Sequence, residues 1–171
     1  MLVARGAEAN GHDLAHDLAR AGCGLALTYW SGHDGALALR DELMGRGVQI
    51  VLARVDVAGD GGGHVAARRA LEGLGSVDAL VLLPPAPIER GGAVGRDEWD
   101  EALAAAVIGP ALFVRAVRAV VPGLQLVVAV TPAGGHDPIA AAAAGALVAW
   151  AQAERLELVE DAAGVRAALG L

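Results

Sequence analysis

Lysine is missing from all 171 residues, so each of the 13 basic residues is an arginine. Hydroxyl side chains and asparagine are almost as scarce: Ser31, Ser76, Thr28, Thr131, Tyr29 and a single asparagine, Asn10. General acid–base catalysis needs a positioned group whose pKa can be brought near neutrality, and few such groups are present. One cysteine, Cys23, excludes an internal disulfide framework and is the usage expected of a reducing cytoplasm. Basic charge is also short, with a formal net charge of −7. That balance argues against nucleic acid and against an anionic membrane surface as partners. The start, Met-Leu-Val-Ala-Arg-Gly, has no basic region followed by a sustained apolar stretch, so no targeting signal is expected. The apolar runs over 102–114 and 139–151 are 13 residues each. A spanning helix needs about 18 or more, so these runs are expected to be buried helices.

What is present is apolar and periodic. With 55% hydrophobic residues, the chain can bury one substantial core, and residues 1–171 are expected to form a single domain. Leu2-Val3-Ala4 is a short apolar run that stops before Gly6. A helix is predicted over 12–21, with Leu14, Leu18 and Ala21 on its inner face, and strands over 25–29 and 48–55. Between those strands a helix over 34–46 turns Leu37, Leu39 and Leu43 inward. A helix over 60–74 follows, then a strand over 77–83 broken by Pro84 and Pro85. A long helix over 97–121 offers Trp99, Leu103, Val107, Leu112 and Val114 as its buried side. A strand over 124–130, an alanine-rich helix over 138–154, a strand over 156–160 and a helix over 162–169 complete the pattern. Alternating strands and helices imply parallel βα units. The strands are continuous apolar runs, as expected when helices cover both faces of a sheet. The expected fold is therefore α/β, a doubly wound, Rossmann-like parallel sheet in three α/β/α layers. Its ligand crevice would lie at the carboxyl ends of the strands.

The turn after the first strand reads Gly6-Ala-Glu-Ala-Asn10-Gly11-His12. Glycines there let a backbone approach a pyrophosphate, and the following helix N-terminus favours the anion. Glu8 inside the turn opposes that by charge. A plain strand-to-helix turn accounts for the same residues.

Taken in order, the segments resemble the short-chain dehydrogenase/reductase family, of the kind that reduces 3-oxoacyl thioesters. The likeness rests on several stretches spread over roughly 1–155. The stretch from Gly11 to Leu25 resembles the family's first helix and second strand. Asp56-Val57 follows the third strand, and Gly75-Ser-Val-Asp-Ala-Leu-Val leads into the fourth. Glu98-Trp99-Asp100 begins the long helix, Gly109 stands in its middle, and Thr131 follows the fifth strand. The resemblance implies NADP or NAD as cofactor, with Gly6, Asn10, Gly11 and Asp56 as the residues to hold it. It also implies a catalytic tetrad of Asn, Ser, Tyr and Lys. Thr131 stands at the serine position. The Tyr-x-x-x-Lys pair falls on Ala140 and Ala144, and the asparagine falls near Ala106. Leu82-Leu83-Pro84-Pro85 replaces the family's Asn-Asn-Ala-Gly, and two prolines remove two backbone donors. The second strand ends Thr28-Tyr29-Trp30-Ser31, without the acid that would hold an NAD ribose, and Arg5 precedes the first glycine. The sequence after Glu154 is also short for the family's substrate lid.

These departures point to a non-catalytic subunit with a structural or regulatory role. The family pairs subunits through the long helices after the fourth and fifth strands, and the matching helices here are apolar beyond one face. A homo- or hetero-oligomer with a related dehydrogenase subunit is therefore expected, with Phe113 and Trp150 as anchors. The alternative is an NAD(P)-dependent oxidoreductase of the carbonyl reductase type. It would have moved its proton donor to His136 or to a water held by Thr131. A third reading is a nucleotide-binding sensor built on Gly6, Gly11 and Asp56. His12 and His16 stand at i, i+4, a spacing that can share a metal, yet no third ligand is nearby in sequence and no metal is expected. Thr131, His136 and Asp137 read as a turn closed by Asp137-Pro138 rather than as a triad.

Overall fold

The computed structural model describes residues 1–85, 95–131 and 138–171. The elements run β1 (Leu2–Ala4), a 3-10 turn (Ala9–Gly11), α1 (His12–Arg20), β2 (Leu25–Tyr29), α2 (His33–Gly45), β3 (Ile50–Arg54), α3 (Gly62–Leu74) and β4 (Ala79–Leu82). After these come α4 (Arg96–Leu103), a π-helical turn (Ala104–Ile108), α5 (Gly109–Val120), β5 (Leu126–Val130), α6 (Pro138–Ala153), β6 (Glu157–Val159) and α7 (Ala162–Ala168). The six strands form one sheet in the order β3-β2-β1-β4-β5-β6, with every pairing parallel. Strand order reverses between β1 and β4. The chain is thus a doubly wound, Rossmann-like α/β/α sheet, as the alternating pattern predicts, and its topological switch point lies at those two strands.

Strand side chains alternate between two cores. Leu2, Ala4, Leu80, Leu82, Val127 and Ala129 face α3 and α5, meeting Ala66, Ala70, Phe113 and Val117. Val3, Leu25, Leu27, Val81 and Val128 face the opposite way, onto Leu14 and Leu18 of α1, Leu39 and Leu43 of α2, and Val165 of α7. Each such leucine or valine contributes about 1.5–3 kcal/mol on leaving water, so the apolar residues on both faces of the central strands hold helices on either side. Some expected faces differ. Ala21 lies exposed just past α1, and Leu37 is only half-buried because Ala36 takes the inward position. Leu112 is 44% exposed, whereas its neighbour Phe113 is 2% exposed within this chain's own core. The latter therefore packs on α3 rather than standing free as an interface anchor.

The long helix is continuous over Arg96–Val120, but it is not uniform. By length and composition this 25-residue stretch could cross a bilayer, which the two shorter apolar runs do not suggest. Here Phe113, Val114 and Val117 bury it against the sheet, and Asp97, Glu98, Asp100 and Glu101 crowd its first turns. Its middle opens into the π-helical turn, directly before Pro110. A proline inside a helix lacks the N–H for its own bond, and its ring crowds the preceding turn. A π-bulge is one way a helix absorbs this. Gly109 serves a second constraint: a Cβ there would collide with the Ala58 Cα, and would lie 2.9 Å from the Val57 carbonyl oxygen. Replacing Gly109 with alanine is expected to destabilise the protein by about 1–3 kcal/mol through overpacking, read as a lower midpoint in urea with an unchanged slope.

Candidate functional site

The candidate site is the carboxyl edge of β1 and β4, where the glycine turn leaves the sheet. Arg5, directly after β1, has φ 60°, a left-handed conformation unusual for a residue with a side chain. Its N–H donates to Thr28 Oγ1 at 2.8 Å, which holds the turn against β2. The turn then folds on itself. The N–H groups of Gly6, Ala7, Glu8 and Gly11 donate to the carbonyls of Val3, Thr28, Arg5 and Glu8 at 2.8–3.2 Å. Both glycines are sterically required. A Cβ on Gly6 would lie 2.8 Å from Val3 side-chain atoms, and one on Gly11 would lie 2.7 Å from the carbonyl oxygens of Arg5 and Gly6. Gly11→Ala is expected to lower the thermal midpoint by several degrees, because backbone rather than a flexible side chain must yield.

The Arg5 side chain runs from β1 across the switch point. Its Nη1 donates to the Leu83 carbonyl and its Nη2 to the Ala105 carbonyl, each at 3.1 Å. The residue is 7% exposed. Burial lowers its pKa from the ordinary arginine value, while the charges of Glu8 and Asp56 act in the opposite sense. An arginine remains cationic under such conditions. Among the described residues no carboxylate comes within ion-pair distance of it, so its hydrogen-bond partners are backbone carbonyls.

The expected cofactor-binding residues are gathered at this edge but hold protein. Asn10 Nδ2 donates to the Pro84 carbonyl at 3.0 Å, latching the turn to the end of β4. Asp56 Oδ1 accepts the Ala58 N–H at 2.8 Å, which makes it the closing residue of the loop after β3. Glu8 Oε1 accepts the Trp30 N–H at 3.3 Å, so its carboxylate sits at the end of β2. Trp30 is 54% exposed, and the Arg54 guanidinium lies 5.5 Å from its ring centroid. Tyr29 hydroxyl and His33 Nδ1 lie 2.7 Å apart.

Among the described residues, the expected catalytic positions offer no proton-transfer set. Thr131 donates its hydroxyl to the Val159 carbonyl at 3.2 Å, and its N–H goes to the same oxygen at 2.9 Å. Ala106 is buried in the π-helical turn, Ala140 is exposed and Ala144 is half-buried. His136 and Asp137 lie outside the described residues. The i, i+4 histidines separate: His12 Nε2 lies 3.3 Å from the Ala7 carbonyl oxygen, and His16 Nε2 lies 3.6 Å from Glu42 on α2. Among the described residues no three side chains of the metal-ligating types gather. Two features were not foreseen, the reach of Arg5 and the π-helical turn it meets. The signal for the second was Gly109-Pro110 inside an otherwise helical pattern. For the first there was none beyond an arginine directly before the glycine turn.

No family model and no curated protein matches the sequence. Solved structures match the fold. A short-chain dehydrogenase/reductase from Serratia marcescens superimposes with a TM-score of 0.76 at 22% identity, over 90% of this chain and 65% of that one. An alcohol dehydrogenase from Thermococcus sibiricus, complexed with 5-hydroxy-NADP, gives 0.78 at 20% identity, over 93% and 74%. Acetoin dehydrogenase from Enterobacter cloacae gives 0.74 at 18% identity, over 90% and 67%. The chain spans roughly two thirds to three quarters of their lengths. It has the short-chain dehydrogenase/reductase fold, and these neighbours are oxidoreductases of that fold.

A dinucleotide laid across β1 and β4 does not fit the residues found here. Four N–H groups of the glycine turn already have backbone acceptors, and Arg5 bridges the interval such a ligand would cross. Leu83 is followed by Pro84 and Pro85, which have no N–H to offer.

Proposed function

We propose that this chain is a non-catalytic short-chain dehydrogenase/reductase-like subunit with a structural or regulatory role. In this reading it pairs through α5 and α6 with a catalytic homologue or with a second copy of itself. The observation that carries the reading is the fate of Thr131. The one hydroxyl at the family's serine position is committed to the Val159 carbonyl, and alanines occupy the Tyr and Lys positions. Positioned acid–base groups commonly contribute about 10²–10⁴ in rate, and the family's tyrosine and lysine positions hold none here. Support for pairing comes from the outer side of the long helix. Ile108 is 53% exposed and Leu112 is 44% exposed, and α6 leaves Ala141, Ala142, Gly145 and Ala149 exposed. Small residues let a facing helix approach closely, and apolar side chains beside them are what a packed interface would cover.

Two measurements test this reading. Oxidation of NADPH and NADH is followed with a panel of ketones and 3-oxoacyl thioesters, and no turnover above the uncatalysed rate is expected. Sedimentation velocity is run on the chain alone and mixed with dehydrogenases of the same fold from the same cell. A dimer or mixed oligomer is expected, and Ile108→Asp with Leu112→Asp should weaken it about 100-fold or more. A chain that stays monomeric in every mixture, or one that turns over substrate, overturns the reading.

A further inference from the structure

We propose that Arg5 closes the ligand crevice of this fold from within. Its side chain ties β1, β4 and the π-helical turn together where a dinucleotide would lie, and it is the residue that decides this chain does without one.

The argument begins at Pro110. In an α-helix the Ala105 carbonyl would accept the Gly109 N–H. Here the Gly109 N–H reaches one residue further back, to Ala104. The donor that would replace it for Ala105 is the residue at position 110, a proline, which has no N–H. The Ala105 carbonyl is therefore stripped of both helical donors by two adjacent residues. Arg5 Nη2 supplies the missing bond from 100 residues away in sequence. A second carbonyl, that of Leu83, stands just past β4 and takes Nη1. A guanidinium suits this task because its donors are fixed in one plane and point along separate directions. A lysine ammonium would present a point charge instead.

The left-handed backbone at Arg5 fits the same purpose. That conformation is normally left to glycine, and glycine would carry no side chain into the crevice. Here a large side chain is borne at that position and is 7% exposed, with Thr28 Oγ1 holding its N–H. The turn beyond it directs four N–H groups inward, and Asn10 latches the turn to Pro84. Each contact closes the β1–β4 interval with protein atoms.

The closure is tested by titrating the wild type and the Arg5→Gly variant with NADH and with NADPH, followed by calorimetry. The wild type should show no saturable binding at millimolar cofactor. The variant, relieved of the side chain and of the strained φ, should bind at least about tenfold more tightly than the wild type. Wild-type binding equal to or tighter than that of the variant overturns the proposal, since Arg5 would then be neutral or a ligand group. Absence of binding in both also overturns it, because closure would not depend on Arg5. Should the variant fail to fold, hydrogen exchange on the wild type decides: millimolar NADH should leave the amides of 5–11, Leu83 and 104–109 unchanged in protection, and added protection there counts against closure. Binding is read separately from turnover and association, so the pairing reading can survive a failure here, and the reverse.

Discussion

Truncating Phe113 to alanine is expected to cost about 3–5 kcal/mol, the range for removing a buried aromatic side chain. At roughly 2–4 °C per kcal/mol for a chain of this size, the thermal midpoint should fall by about 6–20 °C. Phe113 is 2% exposed in the core shared by α3, α5 and the sheet, and α3 approaches it so closely that a Cβ on Gly63 would lie 2.7 Å from the Phe113 carbonyl oxygen. The void left behind is walled by backbone and helix contacts that cannot simply collapse. The loss should be independent of protein concentration when followed by calorimetry. An interface anchor would behave otherwise, weakening association while the separated subunit kept its stability. The contrast with Ile108 and Leu112 on the same helix is sharp, because those side chains are exposed and their substitution should act on association alone.

Arg5→Ala should be the next most damaging single change at the site. It leaves the carbonyls of Leu83 and Ala105 without donors, and each unpaired buried acceptor costs about 1–3 kcal/mol. A total of about 2–4 kcal/mol is expected by urea denaturation, following from that range for two carbonyls of which the one at Ala105 is only partly buried. The same substitution made in a Pro110→Ala background should cost at most about half as much. An N–H at position 110 gives the Ala105 carbonyl a helical donor again, so the guanidinium becomes partly redundant. A coupling of about 1–2 kcal/mol between positions so remote in sequence is the signature of direct contact. Additive effects would mean that the Ala105 carbonyl does not depend on Arg5, and the structural basis for closure would fall with it.

Much of the fold could be read from the order of residues. The short apolar runs at 2–4, 25–29 and 126–130, each apolar on both faces, have no stable place except inside a parallel sheet with helices on either side. The boundaries follow from simple causes. Gly22, Gly47 and Gly75 adopt positive φ just past α1, α2 and α3, where helices are commonly terminated by a residue without a Cβ. Leu112 and Phe113 were harder. Neighbouring apolar residues on a helix point in different directions, and the π-helical turn shifts the helical phase just before them. Leu112 is among the residues expected on the buried side, although an unbroken period of 3.6 counted from Trp99 falls on position 113.

At the site, what was missing could be read and what had replaced it could not. No lysine in the chain, and alanine at positions 140 and 144, exclude the family's proton-transfer pair by identity alone. Composition likewise left the carboxyl edge with little beyond Thr131. Where each remaining polar side chain finds its partner was beyond the sequence. Asp56 and Asn10 have the residue types and spacing of cofactor ligands, yet Asp56 caps a loop and Asn10 latches a turn. Side-chain identity states what a group is able to bond. Only the fold states which donors and acceptors lie within about 3 Å of it.

Sequence alone therefore determined the α/β class, the doubly wound strand pattern and the lack of a catalytic tetrad, because these depend on residue identity and on periods of two and 3.6. Tertiary structure decided the role of Arg5, the commitment of Thr131 to β6 and the burial of Phe113. Those depend on contacts between segments far apart in the chain, the guanidinium of residue 5 meeting the carbonyls of residues 83 and 105. No local pattern encodes such a meeting; it arises when β1, β4 and the bulged helix are brought to one edge of the sheet.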